Sequence, residues 1–214
     1  TPGEEGAHFA SLVLGLDVDD TDDQLAEMFY RGERLLVEAA KDWSQVPYEA
    51  MDWSLVDFSK LTATEYEAID WANVNHDQVD WSKVDPKKLG DNFGSLDLSN
   101  AKLMAALNWS KVDLSTLTSE QYAVIDWSSP EFFSKIQKNL SRLDWSQVPY
   151  DAMDWSLVDF KKLKADVYEA IDWANVNHDQ VDWSKVNLKK LGDSFGSLDL
   201  SNANLMAALN WSKV

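Results

Sequence analysis

The chain has 214 residues, of which 45% are hydrophobic and eleven are Trp, which is enough apolar material for a core and too much for a disordered polypeptide. Its formal net charge of −18 repels nucleic acid, which proteins bind mainly through Lys and Arg contacts to phosphate. The chain has no Cys, which excludes disulfides and thiolate chemistry, and no apolar run approaches the ~18 residues of a transmembrane helix.

Residues 1–41 differ from the rest of the chain in both sequence and charge. They hold 10 acidic and 3 basic residues, and no later segment repeats them. The capping box Thr21-x-x-Gln24 predicts the start of an amphipathic helix over residues 22–40. We expect residues 1–41 to form an acidic helical cap on the segment that follows, because the terminal units of repeat proteins need a polar outer face.

A dense group of carboxylates lies at the start of this predicted helix, at Asp17, Asp19, Asp20, Asp22 and Asp23. Such a group can bind Ca²⁺, although the Gly and Glu that an EF-hand loop requires are missing. Negative charge at a helix N-terminus also accounts for the cluster, since it is favoured by the helix dipole. We favour this second interpretation and keep a Ca²⁺ site as the alternative.

The remaining chain contains a long internal repeat. Residues 42–112 return as residues 144–214 with an offset of 102 residues, and 62 of the 71 aligned positions are identical. The sequence therefore divides into the cap at 1–41, a first copy at 42–143 and a second copy at 144–214. The second copy stops at the equivalent of Val112, so we expect the chain to belong to a longer repeat array.

A shorter pattern recurs inside each copy every five to eight residues. An apolar residue precedes Asp, Asn or Thr, and a second apolar residue follows four positions later: Met51-Asp52 is followed by Val56, and Val56-Asp57 by Leu61. This spacing is typical of a helix N-cap with a hydrophobic staple. It predicts that helices begin and end repeatedly over a few residues.

Two further signals support short helices. Thr62-x-x-Glu65 forms a capping box, which the second copy loses, and Pro86 follows Asp85 at the first helical position, where its missing amide costs nothing. We therefore predict an all-α fold, a solenoid of very short capped α- and 3₁₀-helices. Longer helices are expected at residues 100–107 and at residues 131–143, which carry an amphipathic stripe.

A right-handed β-solenoid is the alternative fold. The apolar residues Trp53, Val56, Phe58 and Leu61 are separated by three, two and three residues, and the segment Leu-Asp-Leu-Ser-Asn-Ala-Lys-Leu begins at residue 96. Over about residues 96–106 the chain resembles the pentapeptide-repeat proteins. That resemblance implies stacked β-coils.

The Trp residues follow the short pattern, since each has a cap residue before it and a staple position after it. We predict that they are structural anchors that fill the interior and donate the indole N–H to a carbonyl. The alternative is a set of exposed aromatic platforms. The Trp positions are Trp43, Trp53, Trp71, Trp81, Trp109, Trp127, Trp145, Trp155, Trp173, Trp183 and Trp211.

The sequence offers little for catalysis. It has three His and no Gly-rich phosphate loop, and no spacing suggests a nucleophile and base. His76 and His178 occupy equivalent positions, where a pigment or haem ligand is conceivable but a surface His in a capped turn is favoured. We therefore expect no enzymatic activity and no resident cofactor.

These features favour a non-enzymatic scaffold, spacer or adhesive segment of a larger bacterial cell-surface or secreted protein. The alternative is an aromatic-lined binding module for glycan or peptide ligands. In both cases the expected partners are proteins or glycans, with self-association of the array included, and neither nucleic acid nor a transmembrane segment is expected.

Overall fold

The computed structural model describes residues 43–209, so the predicted helix at 22–40 and the aspartates at 17–23 lie outside the described residues. Of the described residues 59% are helical and none lies in a strand. The prediction of an all-α fold built from very short helices is confirmed. The β-solenoid alternative is wrong for residues 43–209, because Asp and Asn caps and i→i+3 bonds close turns where stacked strands would need extended chain.

Eight α-helices are described: α1 Ala63–Ala68, α2 Pro86–Leu89, α3 Ala101–Ala106, α4 Ser119–Val124, α5 Pro130–Ile136, α6 Ala165–Ala170, α7 Leu188–Leu191 and α8 Ala203–Ala208. The 3₁₀-helices are Trp43–Gln45, Tyr48–Ala50, Trp53–Leu55, Phe58–Lys60, Trp71–Asn73, Trp81–Lys83, Gly90–Ser95, Trp109–Lys111, Leu114–Thr116, Gln137–Arg142, Trp155–Leu157, Phe160–Lys162, Trp173–Asn175, Trp183–Lys185 and Gly192–Ser197.

The chain divides into two compact units, Thr1–Val112 and Asp113–Val214. Residues 113–143, which precede the second copy in sequence, pack in the same unit as that copy. Each unit has its own buried core, and each is described separately below.

Seven of the described 3₁₀-helices begin at an Asp whose side chain caps the turn. Asp52 Oδ1 accepts hydrogen bonds from Ser54 N at 3.1 Å and from Ser54 Oγ at 2.6 Å, and Val56 N closes the turn on Trp53 O at 3.2 Å. One carboxylate oxygen thus holds both donors of the residue two positions later. The same Asp-x-Ser arrangement occurs at Asp57, Asp80, Asp97, Asp113, Asp126, Asp144, Asp154, Asp182 and Asp199.

The predicted capping box forms at Thr62 and Glu65, and Pro86 is the first residue of α2. In the second copy Lys164 occupies the cap position of α6 and makes no side-chain bond. Helix α6 nevertheless has the same extent as α1, one copy later. Packing of its buried face therefore sustains the helix without the box.

The two longer predicted helices have different outcomes. The helix predicted at 100–107 is α3, with Asn100 as its cap. The single helix predicted at 131–143 is wrong, because the chain forms α5 and then winds more tightly as the 3₁₀-helix Gln137–Arg142. The apolar stripe of this segment contains i+3 steps, which suit either winding, so the pattern could not locate the change.

Candidate functional site

The described Trp residues form the centre of each unit. All ten of them are buried, with at most 6% of any side chain exposed, while Trp211 lies outside the described residues. Their rings pack in rows: in the first unit the ring centroids of Trp43 and Trp53 are 6.2 Å apart, and those of Trp71 and Trp81 are also 6.2 Å apart. These indoles are core residues and do not form a surface platform.

The indole N–H groups share one kind of partner. Trp71 Nε1 donates to the carbonyl oxygen of Tyr66, five residues earlier, at 2.8 Å, and Trp173 donates to Tyr168 in the same way. Trp53 is the exception, since its buried Nε1 has no hydrogen-bond partner among the described residues. The other indoles that donate to the carbonyl five residues earlier are Trp81, Trp109, Trp127, Trp145, Trp155 and Trp183.

A Tyr or His often occupies that position five residues before Trp, and its ring packs on the indole. The centroids of Tyr66 and Trp71 are 5.5 Å apart. The Tyr66 hydroxyl donates to Phe58 O at 2.9 Å and accepts from Asp85 N at 3.1 Å. The tyrosine thereby satisfies a free backbone amide 19 residues further along the chain.

His76 plays the same part. Its Nδ1 lies 2.8 Å from Val74 O, and its Nε2 accepts from Asp97 N at 3.1 Å. Because Nε2 accepts from an amide, the proton of the neutral ring belongs on Nδ1, which then donates to the carbonyl. The same contacts recur at His178, so both nitrogens of each ring bind the backbone and are not free to hold a metal or haem.

The expectation of a surface histidine is wrong for His178, of which 8% is exposed. The ring is drawn inward because it satisfies two backbone groups from different parts of the unit. Its centroid lies 5.1 Å from that of Trp183. His178 is therefore part of the core.

Gln and Lys side chains make further hydrogen bonds to backbone groups that are distant in sequence, as Tyr66 and His76 do. Gln78 Oε1 accepts from Trp53 N at 3.1 Å, and Lys88 Nζ donates to Leu61 O at 2.8 Å while lying 5.7 Å from the Tyr66 ring centroid. All the links join residues 19 to 27 positions apart, so they tie each coil of the solenoid to the next. We call them the coil-bridging bonds. The sequence signal that could have revealed them is the Tyr or His five residues before Trp.

The ionisable groups of the caps and bridges respond to these bonds. The hydroxyl and amide of Ser128 lower the pKa of Asp126, as Ser99 does for Asp97. Burial raises the pKa of Tyr66 to about 12. Both effects favour the protonation state that the folded hydrogen bonds require.

Residues 43–209 contain no group of three or more His, Cys, Asp or Glu arranged to hold a metal ion. A cleft of about 600 Å³ is lined by residues that include Trp183, Val186, Leu188 and Leu209. In the first unit Trp109–Lys111 packs on α2, which is the equivalent of this surface. The cleft thus includes the equivalent of a surface that is covered by Trp109–Lys111 in the first unit.

Comparison of the chain with protein-family models, with curated proteins and with solved structures finds no match. The local resemblance to pentapeptide-repeat proteins therefore stays untested. Within the part of the chain that the structure describes, no helix has the length and hydropathy needed to cross a membrane.

Proposed function

We propose that this chain is a non-enzymatic scaffold or spacer segment of a larger bacterial cell-surface or secreted protein. One observation carries the proposal: the coil-bridging bonds of the first unit recur in the second at an offset of 102 residues. Tyr66 and Asp85 correspond to Tyr168 and Asn187, and the amide-to-hydroxyl distance is 3.1 Å in both. A structure that repeats its core in this way is extended by adding copies.

The hydrogen bonds of the potentially reactive side chains support the same proposal. Tyrosine hydroxyls, imidazoles and indole N–H groups, which elsewhere serve catalysis or ligand binding, here satisfy backbone groups inside the core. The described surface is mostly polar, with Val124, Leu200 and Met206 as its exposed large hydrophobic residues. Burial of the described Trp side chains counts against the alternative of an aromatic platform for glycans.

The test is to lengthen the protein. Residues 113–214 are added once or twice after Val214, which follows the natural order because Val112, its equivalent, precedes Asp113. For a modular scaffold we expect the maximum dimension in small-angle scattering and the free energy of unfolding to rise with each added copy.

A matched control carries Trp127→Ala, Trp155→Ala and Trp173→Ala in the added copy alone. It has nearly the same mass but lacks three buried anchors, so the gain in unfolding free energy should disappear. If the maximum dimension does not grow with added wild-type copies, the modular scaffold is excluded.

A further inference from the structure

The positions at which the two copies differ are not scattered. Seven of the nine differences fall on one part of the second unit, between residues 161 and 194. These differences lie on Phe160–Lys162, on Gly192–Ser197 and on the helices α6 and α7 with their cap residues. Helix α6 contacts both α7 and Gly192–Ser197. Divergence between the copies is therefore concentrated on one surface.

These differences change the charge of that surface. Four of them raise it by one each, where Ser59, Thr62, Glu65 and Asp85 give way to Lys161, Lys164, Val167 and Asn187. One lowers it, where Thr64 gives way to Asp166. The second unit is thus more positive by three charges at this location, in a chain whose net charge is −18.

Two new lysines join three that both copies share, and we call the five the lysine surface: Lys161, Lys162, Lys164, Lys189 and Lys190. Lys190 Nζ donates to Leu163 O at 2.8 Å, which places this ammonium group beside Lys162 and Lys164. Apart from Lys190, which is half-buried, these side chains are exposed.

Five carboxylates offset this charge. Asp159 lies 3.8 Å from Lys162, and Asp182 interacts with Lys161. Asp166 and Glu169 lie on α6, and Asp193 lies on Gly192–Ser197. Within residues 43–209, Lys164 and Lys189 form no ion pair. Five lysines thus stand against five acids, whereas the equivalent surface of the first unit has Lys60, Lys87 and Lys88 against six acids, so the surface of the second unit is less negative by three charges.

The new charge accompanies the loss of a helix cap. Lys164 replaces the Thr of the capping box, and Val167, of which 2% is exposed, replaces its Glu. A cap of this kind contributes about 1 kcal/mol. The second unit thus carries a positive charge where the first unit has a stabilising capping box. Such a loss of local stability is expected at a surface that serves binding more than folding.

We propose that the lysine surface binds a carboxylate-rich polypeptide segment, of the kind represented by residues 17–23 of this same chain. That segment has five Asp in seven residues. At physiological salt a charge is felt over about 8 Å, so a short acidic peptide responds to the local charges, among which the exposed Lys164 and Lys189 form no ion pair with a described residue. A long phosphate polymer would extend onto the acidic remainder of the surface and be repelled.

This inference rests on the proposed scaffold function, because it assigns a partner to one face of the scaffold. The probe is a fluorescent peptide of residues 16–24, followed by anisotropy at low salt. The receptor is the full chain with Asp17, Asp19, Asp20, Asp22 and Asp23 replaced by Asn, so that its own segment cannot compete.

In this receptor Lys161→Ser and Lys164→Thr restore the residues of the first copy. Together they should weaken binding about tenfold, since exposed charge pairs contribute up to about 1 kcal/mol each. The matched control, Lys83→Ser with Lys111→Thr, removes the same charge from exposed positions elsewhere and should leave the affinity within about twofold. Affinity should also fall as salt rises.

Equal weakening by the two double variants would overturn the proposal, because it would show that only net charge matters. Tighter binding of polyphosphate than of the peptide would overturn it as well and would assign the surface to a phosphate polymer. Circular dichroism and thermal unfolding of each variant verify the fold. The scaffold proposal is judged separately by the growth in dimension and stability of lengthened chains, so the two can fail independently.

Discussion

The amide of Asp85 donates to the hydroxyl oxygen of Tyr66 at 3.1 Å, although the two residues are 19 positions apart. The amide belongs to the cap residue of α2, and no turn of its own coil satisfies it. Asn187 and Tyr168 make the same bond in the second unit, because the bond uses a backbone group that is present in either residue. The Tyr66 hydroxyl also donates to Phe58 O at 2.9 Å, and this second bond requires the hydroxyl to remain protonated.

Alkaline pH should therefore unfold the first unit. Burial raises the pKa of Tyr66 to about 12 from an ordinary value of 10.0, and the carboxylates of Asp85 and Asp57 add to the effect. Since the folded state favours the neutral hydroxyl, its contribution to stability is complete below pH 10.0 and is lost as pH rises through about 12. The check is the urea midpoint by circular dichroism across this window, with phenolate absorbance recorded in parallel.

Tyr66→Phe is the control for this prediction. It removes one buried hydroxyl, which costs about 1 kcal/mol at neutral pH, and it removes the ionisable group. The decline in stability between neutral and alkaline pH should become shallower in this variant. An unchanged pH dependence would mean that Tyr66 does not couple ionisation to folding.

Acid pH should act on the Asp caps. Hydrogen bonds from Ser128, first from its hydroxyl and then from its amide, lower the pKa of Asp126 below the ordinary value of 3.8. The folded state favours this carboxylate, so its contribution is present above pH 3.8 and is lost as pH falls through the lower folded pKa. Ser128→Ala should move the pKa of Asp126 back towards its ordinary value, which carboxyl NMR titration measures.

Ser110→Ala is the matched change for this experiment. The Ser110 hydroxyl donates to the side-chain oxygen of Asn108, which has no proton to titrate. The pKa of Asp126 should not respond to it. If both Ser variants shift the Asp126 titration equally, the Asp-x-Ser bond is not the cause of the lowered pKa.

The local elements of this fold could be predicted from sequence because their causes lie within a few residues. Asp52 caps its turn through a residue two positions away, and the box at Thr62 spans three positions. The sequence pattern predicted the cap but not the two hydrogen bonds that Ser54 donates to it. The caps were recognised from the spacing of apolar residues, and this spacing says nothing about the residue after Trp.

The coil-bridging bonds could not be derived in the same way. His76 reaches Asp97 only after the intervening chain has formed a complete coil, so its partner depends on the length of that coil. The sequence pattern predicted that each Trp lies in the core, but it did not predict which coils of the chain contact each other. The lysine surface was missed for a related reason, because Lys190 reaches the carbonyl of Leu163 only when α6 packs on α7.

The glycines at the ends of α2 and α7 make a further prediction. Gly192 has φ +52, a conformation that side chains strongly disfavour, although an added Cβ would meet nothing within 4 Å. Gly192→Ala should therefore destabilise the second unit by about 1–3 kcal/mol through backbone strain alone. Gly196→Ala is the control: its Cβ also meets nothing within 4 Å and its φ is not positive, so its urea midpoint should stay near that of wild type.

Equivalent substitutions at two buried Trp residues should have unequal costs. Trp173 Nε1 donates to Tyr168 O at 2.8 Å, whereas the buried Nε1 of Trp53 has no partner among the described residues. Trp173→Phe removes the donor of a buried carbonyl, which costs about 1–3 kcal/mol beyond the lost ring volume. Trp53→Phe loses similar volume but also removes an unsatisfied buried donor, so it should lower the free energy of unfolding less.

Urea unfolding of both variants measures this difference, and Trp71→Phe, which loses a 2.8 Å bond to Tyr66, should group with Trp173→Phe. Because Trp71 and Trp53 belong to the same unit, the comparison is not affected by a difference in stability between units. Equal costs at Trp53 and Trp71 would show that ring packing alone determines the contribution of each anchor. A larger cost at Trp53 would mean that its Nε1 is satisfied in solution.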